Sequence, residues 1–183
     1  MLPAFLGFCA LETTAGLWAS SYLVGSRGVD GETAAQFTAL FYLGETVGRV
    51  ANGFIADRFG DKNMIRVGIF VMLAGTLLVL LPVNALSLAG LVLIGLGAAP
   101  VYPCIIHATP ENFGKENSQA LVGIQMASAY CGSTFMPPLF GLIAQYISIR
   151  LYPICLMALA LLMLWMTELL NHTLKQNRKT SQS

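Results

Sequence analysis

"GFIADRFGDKNMIR", residues 53–66, sets five charged side chains, Asp57, Arg58, Asp61, Lys62 and Arg66, between two long apolar stretches. The rest of the chain avoids charge. Of its 183 residues 56% are hydrophobic and 10% charged, and the mean hydropathy is +0.69. A soluble domain carries roughly 25% charged residues to cover its surface, so this composition is that of a membrane protein. A net charge of +1 carries no signal for nucleic acid. Cys9, Cys104, Cys131 and Cys155 all fall in apolar segments without metal-ligand spacing, so they read as small buried hydrophobes and no metal site is expected. No basic stretch precedes the first apolar segment, which is too long for the core of a cleaved signal.

A helix needs about 20 apolar residues to cross a hydrocarbon core roughly 30 Å thick. Six stretches qualify, at residues 2–25, 34–57, 64–83, 86–108, 118–147 and 151–170. They show no alternation of period two, so helices rather than barrel strands are expected to satisfy the backbone in lipid. The fold class is therefore all-α: a six-helix membrane domain over 1–170 and a polar tail over 171–183. Arg58, Lys62, Arg66, Lys115, Lys175, Arg178 and Lys179 fall on one side of that arrangement, against Arg27 and Arg150 on the other. By the positive-inside rule the first side, with both termini, is cytoplasmic.

Shifting the chain by 88 residues lays "GETVGRVANGFIAD" (44–57) over "GSTFMPPLFGLIAQ" (132–145), with Gly44/Gly132, Thr46/Thr134, Gly53/Gly141, Ile55/Ile143 and Ala56/Ala144 identical. An offset of three spans relates helix two to helix five with reversed topology, the inverted 3+3 repeat of secondary transporters.

The spacing Gly53, Asp57-Arg58, Gly60, Lys62 resembles the cytoplasmic loop motif of the major facilitator superfamily, with Asp61 standing where that motif has a basic residue. Gly53 is expected to let a neighbouring helix come close, Asp57 to close helix two, and Gly60 to permit the turn into helix three. The resemblance implies a conformational latch built from ion pairs at this loop, which the substitution at Asp61 puts in doubt. "ALETTAGLWASSYLV" (10–24) and "GLGAAPVYPCIIHATPENFG" (95–114) look like helices seven and ten of bacterial transporters related to the fucose permease group. The chain then corresponds to the C-terminal six-helix half of a twelve-helix transporter in a bacterial plasma (inner) membrane. The resemblance also implies a small-molecule solute, sugar-like by analogy, and a partner that is an N-terminal half or a second copy. Beginning inside a span reads as a truncated or split frame, so an inactive fragment and a drug or metabolite exporter stand as alternatives.

Several residues are candidates for transport. Thr38, Tyr42, Glu45, Arg49, Asn52 and Ala56 recur every three or four positions and so share one helix face. Charge near the bilayer centre costs on the order of 2.5–3.5 kcal/mol per group, which makes Glu45 and Arg49 either a functional or a packing pair. Glu12, halfway along the first span, is a candidate for exchanging a coupling proton, or for bonding a facing helix; no other cofactor is expected. Tyr102 is a candidate for stacking on a sugar-like solute or for packing, and Gln125 for contacting a neutral solute or bonding between helices. Pro100, Pro103, Pro137 and Pro138 are expected to bend their helices. His107 reads as an interfacial cap, Glu168 as solvated, and Trp18, Tyr22 and Trp165 as interface anchors. Ser133, read as mid-membrane, lacks a nucleophile motif, and His107 and His172 lie toward the cytoplasmic face, so an intramembrane protease is disfavoured. There is no Walker loop and no channel filter sequence.

Overall fold

The computed structural model describes residues 2–113 and 118–180. The side chains of Asp57, Lys115, Lys175, Arg178 and Lys179 lie outside that description. Among the described residues seven α-helices run in order: α1 Leu2–Arg27, α2 Gly31–Phe59, α3 Asp61–Leu80, α4 Asn84–Ala98, α5 Val101–Phe113, α6 Ser118–Ile143 and α7 Tyr152–Thr180. No strand occurs among them.

The helices cover the six apolar stretches with shifted ends, and one of the departures has a local cause. The fourth stretch is two helices, because Pro100 has no N–H to donate to Leu96 and the chain turns between Ala98 and Val101. Helical spacing survives on both sides of the break, with Ala99 N–H donating to Gly95 O and Cys104 N–H to Pro100 O, each at 3.1 Å. Pro103 sits in the first turn of α5, where a missing N–H is tolerated. Pro137 and Pro138 lie within α6, whose helix continues through both of them. The chain reverses later, through a π-helical turn at Ala144–Ser148 and a 3₁₀ turn at Ile149–Leu151. Finally, α7 continues past residue 170 to Thr180.

Among the described residues four helical stretches are long and apolar enough to cross a membrane: Leu2–Arg27, Asp61–Leu80, Asn84–Pro110 and the 55-residue Gln119–Thr173, which folds back at its π-helical turn. The length of α2 would suffice, but its polar stripe dilutes its hydropathy. Large apolar side chains such as Phe54, Val50, Phe70 and Tyr146 stand on the outer surface, as a lipid solvent allows.

Contacts sort the helix ends into two groups. Ala4, Lys62, Ile65, Ala108 and Asn171 surround one small cavity, so the start of α1, the start of α3 and the late part of α7 lie together. At the other end Gly25 meets Ile149, and Arg27 reaches the end of α3. Helix α1 packs against α2, α4, α5, α6 and α7, so it forms the bundle's centre. Phe5, Phe8, Leu11 and Leu23 on α1 are fully buried, as are Ile69, Met72, Ile94 and Leu156 around it.

Two local devices hold the ends. Asp30 caps α2, its carboxylate accepting the Thr33 N–H at 3.0 Å, and hydrogen bonds from Thr33 hold that carboxyl below its ordinary value. Arg27 does more than balance charge between the two sides of the membrane. It donates from Nη2 to Val79 O and to Leu81 O, each at 2.6 Å, satisfying carbonyls at the end of α3. Its Nε donates to the Tyr22 hydroxyl at 3.0 Å. Removing these bonds in Arg27→Gln is expected to cost about 1.5–3 kcal/mol. The check is the thermal unfolding midpoint in detergent, and an unchanged midpoint would mean the cap contributes nothing.

The anchor reading of Trp18 and Tyr22 is corrected by the fold. Trp18 stacks edge-on against Phe140 at 5.5 Å and donates its indole N–H to Pro137 O at 3.0 Å. Tyr22 is 3% exposed and stacks on Tyr152 at 4.9 Å. Trp165, by contrast, stands on the surface.

Candidate functional site

The polar stripe of α2 faces α1 across a cleft. Glu45 and Arg49 are four positions apart, about one helical turn, and Arg49 Nη2 bonds Glu45 Oε1. The same nitrogen lies 3.2 Å from Glu12 Oε1 on α1. One guanidinium thus holds two carboxylates from two helices, and the side chains of Glu45 and Glu12 are only 9% and 18% exposed. Arg49 itself is 54% exposed and turns its open side to the cleft. Of the two roles considered for Glu12, bonding to a facing helix is realised in this geometry, with Arg49 as the partner.

The cleft has a volume of about 530 Å³ and is lined by Glu12, Arg49, Asn52, Gly53, Tyr102 and Pro103. Asn52, Gly53 and Pro103 also line a second cavity of about 370 Å³ that ends at Gly60, Asp61 and His107. The two therefore form consecutive compartments of one crevice between α2 and α5. Tyr102 enters it half-buried, its ring 5.0 Å from Phe5 and its hydroxyl donating to Met126 Sδ at 3.1 Å. Tyr42 extends the stripe toward the other end and lies over Gly16, where any side chain would collide with it.

Among the described residues no helix reaches Gly53, where a Cβ would meet nothing within 4 Å, so this glycine opens on the crevice. One expectation is corrected here. Gln125 does not reach the cleft. It is 2% exposed and pairs with Thr109, its Nε2 donating to Thr109 Oγ1 at 3.0 Å, which leaves it an interhelical bond between α6 and α5.

The loop between α2 and α3 is a tight turn at Gly60. Gly60, with φ +74°, ends α2 and begins α3 in a backbone conformation that side-chain-bearing residues resist. Its N–H donates to Ala56 O at 2.9 Å and its carbonyl accepts from Asn63 and Met64 at 3.1 Å. Asp61, the residue that departs from the family motif, lies 2.7 Å from His107 Nδ1 on α5. His107 is accordingly more than a helix cap, since it ties α5 to the loop. The second tie joins α3 to α7, with Arg66 Nη2 2.6 Å from Glu168 Oε2 in a two-pronged pair, so Glu168 is not merely solvated. Arg58 and Lys62 form no ion pair among the described residues. Polarity alone does not reveal these ties, because each joins residues at least 46 positions apart.

No group of three or more His, Cys, Asp or Glu able to hold a metal occurs among the described residues. Ser133 spends its hydroxyl on Tyr130 O at 3.2 Å.

The sequence profile described as Major Facilitator Superfamily matches residues 1–182. The chain belongs to the major facilitator superfamily. Like its composition and helices, this membership makes it an integral membrane protein of a transporter family rather than an enzyme family. It is 28% identical over 158 residues to Bypass of stop codon protein 6 of Saccharomyces cerevisiae, covering 80% of this chain and 32% of that protein. It is 26% identical over 154 residues to Membrane protein MosC of Rhizobium meliloti, covering 81% and 37% respectively. Sialin of Ovis aries is 28% identical over 124 residues, which cover 65% of this chain and 25% of sialin. The crystal structure of the POT family transporter PepTSo superposes with a TM-score of 0.72 at 18% identity, covering 91% of this chain and 37% of that one. The matched part of the chain thus spans 25–37% of the length of these proteins.

Proposed function

We propose that this chain is the C-terminal six-helix half of a secondary transporter and supplies one wall of a solute path that works by alternating access. The observation that carries the reading is Arg49 held between Glu12 and Glu45 on the wall of an open cleft. A three-charge cluster within membrane-spanning helices is costly, and a cleft that a partner half completes gives it a use.

An inverted 3+3 repeat is supported by packing. Gly44 of α2 lies against the Val92 carbonyl of α4, while Gly132 of α6, 88 residues on, lies against the Leu6 carbonyl of α1. A two-fold exchange of the halves produces that pairing. Both termini are cytoplasmic in this proposal, by the distribution of Lys and Arg, and the membrane is a bacterial inner membrane. The missing wall comes from an N-terminal half or a second copy of the chain.

A count of charges supports coupling to protons. Two carboxylates facing one guanidinium leave one negative charge without a cation, and a proton can balance it. Glu12 is the better carrier, because Glu45 bonds the Arg49 of its own helix while Glu12 reaches across from α1. Asn52 and Tyr102 present hydrogen-bonding groups beside this cluster, which suits a neutral polyhydroxylated solute such as a sugar.

The test is uptake of neutral monosaccharides into proteoliposomes that hold the assembled transporter and an internal pH dye. Sugar-dependent acidification of the lumen is expected, and Glu12→Gln is expected to abolish it. Uptake that keeps its pH dependence in Glu12→Gln would remove the coupling role. Uptake of apolar drugs in place of sugars would favour an exporter.

A further inference from the structure

A cavity of about 360 Å³ lies away from the cleft, between the start of α3 and the late part of α7, lined by Lys62, Arg66, Glu168, Asn171 and His172. We propose that it binds a phosphate group, that of an anionic membrane lipid headgroup.

The donors and acceptors of the cavity do not balance. Glu168 supplies a carboxylate to the lining, and both its oxygens already face Arg66. Lys62 forms no hydrogen bond or ion pair among the described residues, so its ammonium presents three donors that none of them accepts. Asn171 Nδ2 is buried and also lacks a partner among the described residues. Its other neighbouring space is the small cavity beside Ala4, about 20 Å³ and walled mainly by apolar side chains, with room for one water at most. Asn171 borders both spaces, and of the two only the larger, which Lys62 and Arg66 also line, has room for an anion. Arg66 keeps further N–H groups beyond the two it spends on Glu168, and His172 stands at the rim. A ligand that satisfies this set is rich in acceptors and negatively charged, which describes phosphate. A sugar, with as many donors as acceptors, fits less well.

Position favours a lipid as the source. The site lies at the helix ends read as cytoplasmic, where basic pockets between helices hold anionic headgroups. One turn beyond Arg66 on the same face of α3 stands Phe70, 58% exposed. One and two turns before Glu168 on α7 stand Trp165, 61% exposed, and Leu161, 51% exposed. A headgroup in the cavity would thus lay its acyl chains along an apolar strip on the outside of the bundle.

Trp165 is a built-in reporter. The 183-residue chain is placed in vesicles with brominated phosphatidylglycerol or brominated phosphatidylcholine, and quenching is referred to Trp165→Phe to isolate that ring. Phosphatidylglycerol is expected to occupy the place beside Trp165 about fivefold over phosphatidylcholine, the factor that about 1 kcal/mol per basic residue yields. Lys62→Gln and Asn171→Leu, both of which leave the Arg66–Glu168 pair intact, are expected to bring the ratio to about one. Lys62→Arg is expected to keep it. A ratio near one in the unaltered chain, or one that survives both substitutions, would overturn the proposal. If millimolar inorganic phosphate abolishes the preference, the site takes a free anion and the lipid assignment is wrong.

Discussion

Arg49→Met is expected to abolish solute uptake and to destabilise the bundle by about 3 kcal/mol. Removing one member of a buried ionic cluster ordinarily costs about 3–5 kcal/mol, because the charges left behind have neither water nor a partner. Here two carboxylates are left, with side chains 9% and 18% exposed. The guanidinium itself is half in the cleft, which places the cost at the lower end of that range. The measurement is the unfolding midpoint of the purified variant together with uptake in proteoliposomes. Glu45→Gln combined with Arg49→Met removes one stranded charge along with the cation, so most of the stability is expected to return. Uptake is not, because Glu12 still lacks its partner. Normal uptake by Arg49→Met would refute the proposed function of the cleft, whatever the stability result.

The second large effect lies in the α3–α4 seam. A Cβ placed on Gly75 would stand 2.6 Å from Gly90 O, and one on Gly90 would stand 2.5 Å from Gly75 O. Two turns along, a Cβ on Gly68 would stand 2.5 Å from Gly97 O, and one on Gly97 2.6 Å from Gly68 O. The two antiparallel helices thus touch backbone to backbone at reciprocal glycines. Lipid tails are as apolar as leucine, so close van der Waals packing of this kind is what binds helices together in a bilayer. Gly75→Ala requires the backbones to part, and α3 cannot yield freely because it also packs against α5 and α7. A loss of about 1–3 kcal/mol is expected for each alanine. Gly75→Ala with Gly97→Ala is expected to sum those losses, since the two contacts are separate. Gly7→Ala and Gly123→Ala serve as controls, because a Cβ at either meets nothing within 4 Å. They are expected to be neutral or stabilising by up to about 1 kcal/mol through helix propensity. A seam variant as stable as these controls would show that the contact is not what holds α3 to α4.

Properties that depend on near neighbours in the chain are legible in the sequence. Membrane residence follows from the scarcity of charge, the helices from the length of the apolar runs, and the turn at Gly60 from its place between two of them. Glu45 and Arg49 are legible as a pair because four residues make about one helical turn. The break at Pro100 follows from a missing N–H. The same local reasoning expects a bend at Pro137 and Pro138, where α6 stays helical through both residues.

Contacts between helices are decided only by the tertiary structure. Glu12 meets Arg49 across 37 residues, Asp61 meets His107 across 46, and Arg66 meets Glu168 across 102. Gln125 is sealed against Thr109, and Gly53 faces open space. In a soluble protein the boundary between polar and apolar faces shows which side of a helix is buried. In a bilayer the solvent is as apolar as the core, so a leucine facing lipid and one facing a neighbour look alike in the sequence. What this sequence determines by itself is therefore a set of helices and the charges along them. Their rotation about their own axes, and with it the partner of each charge and the seat of each glycine, is fixed only by packing one helix against another.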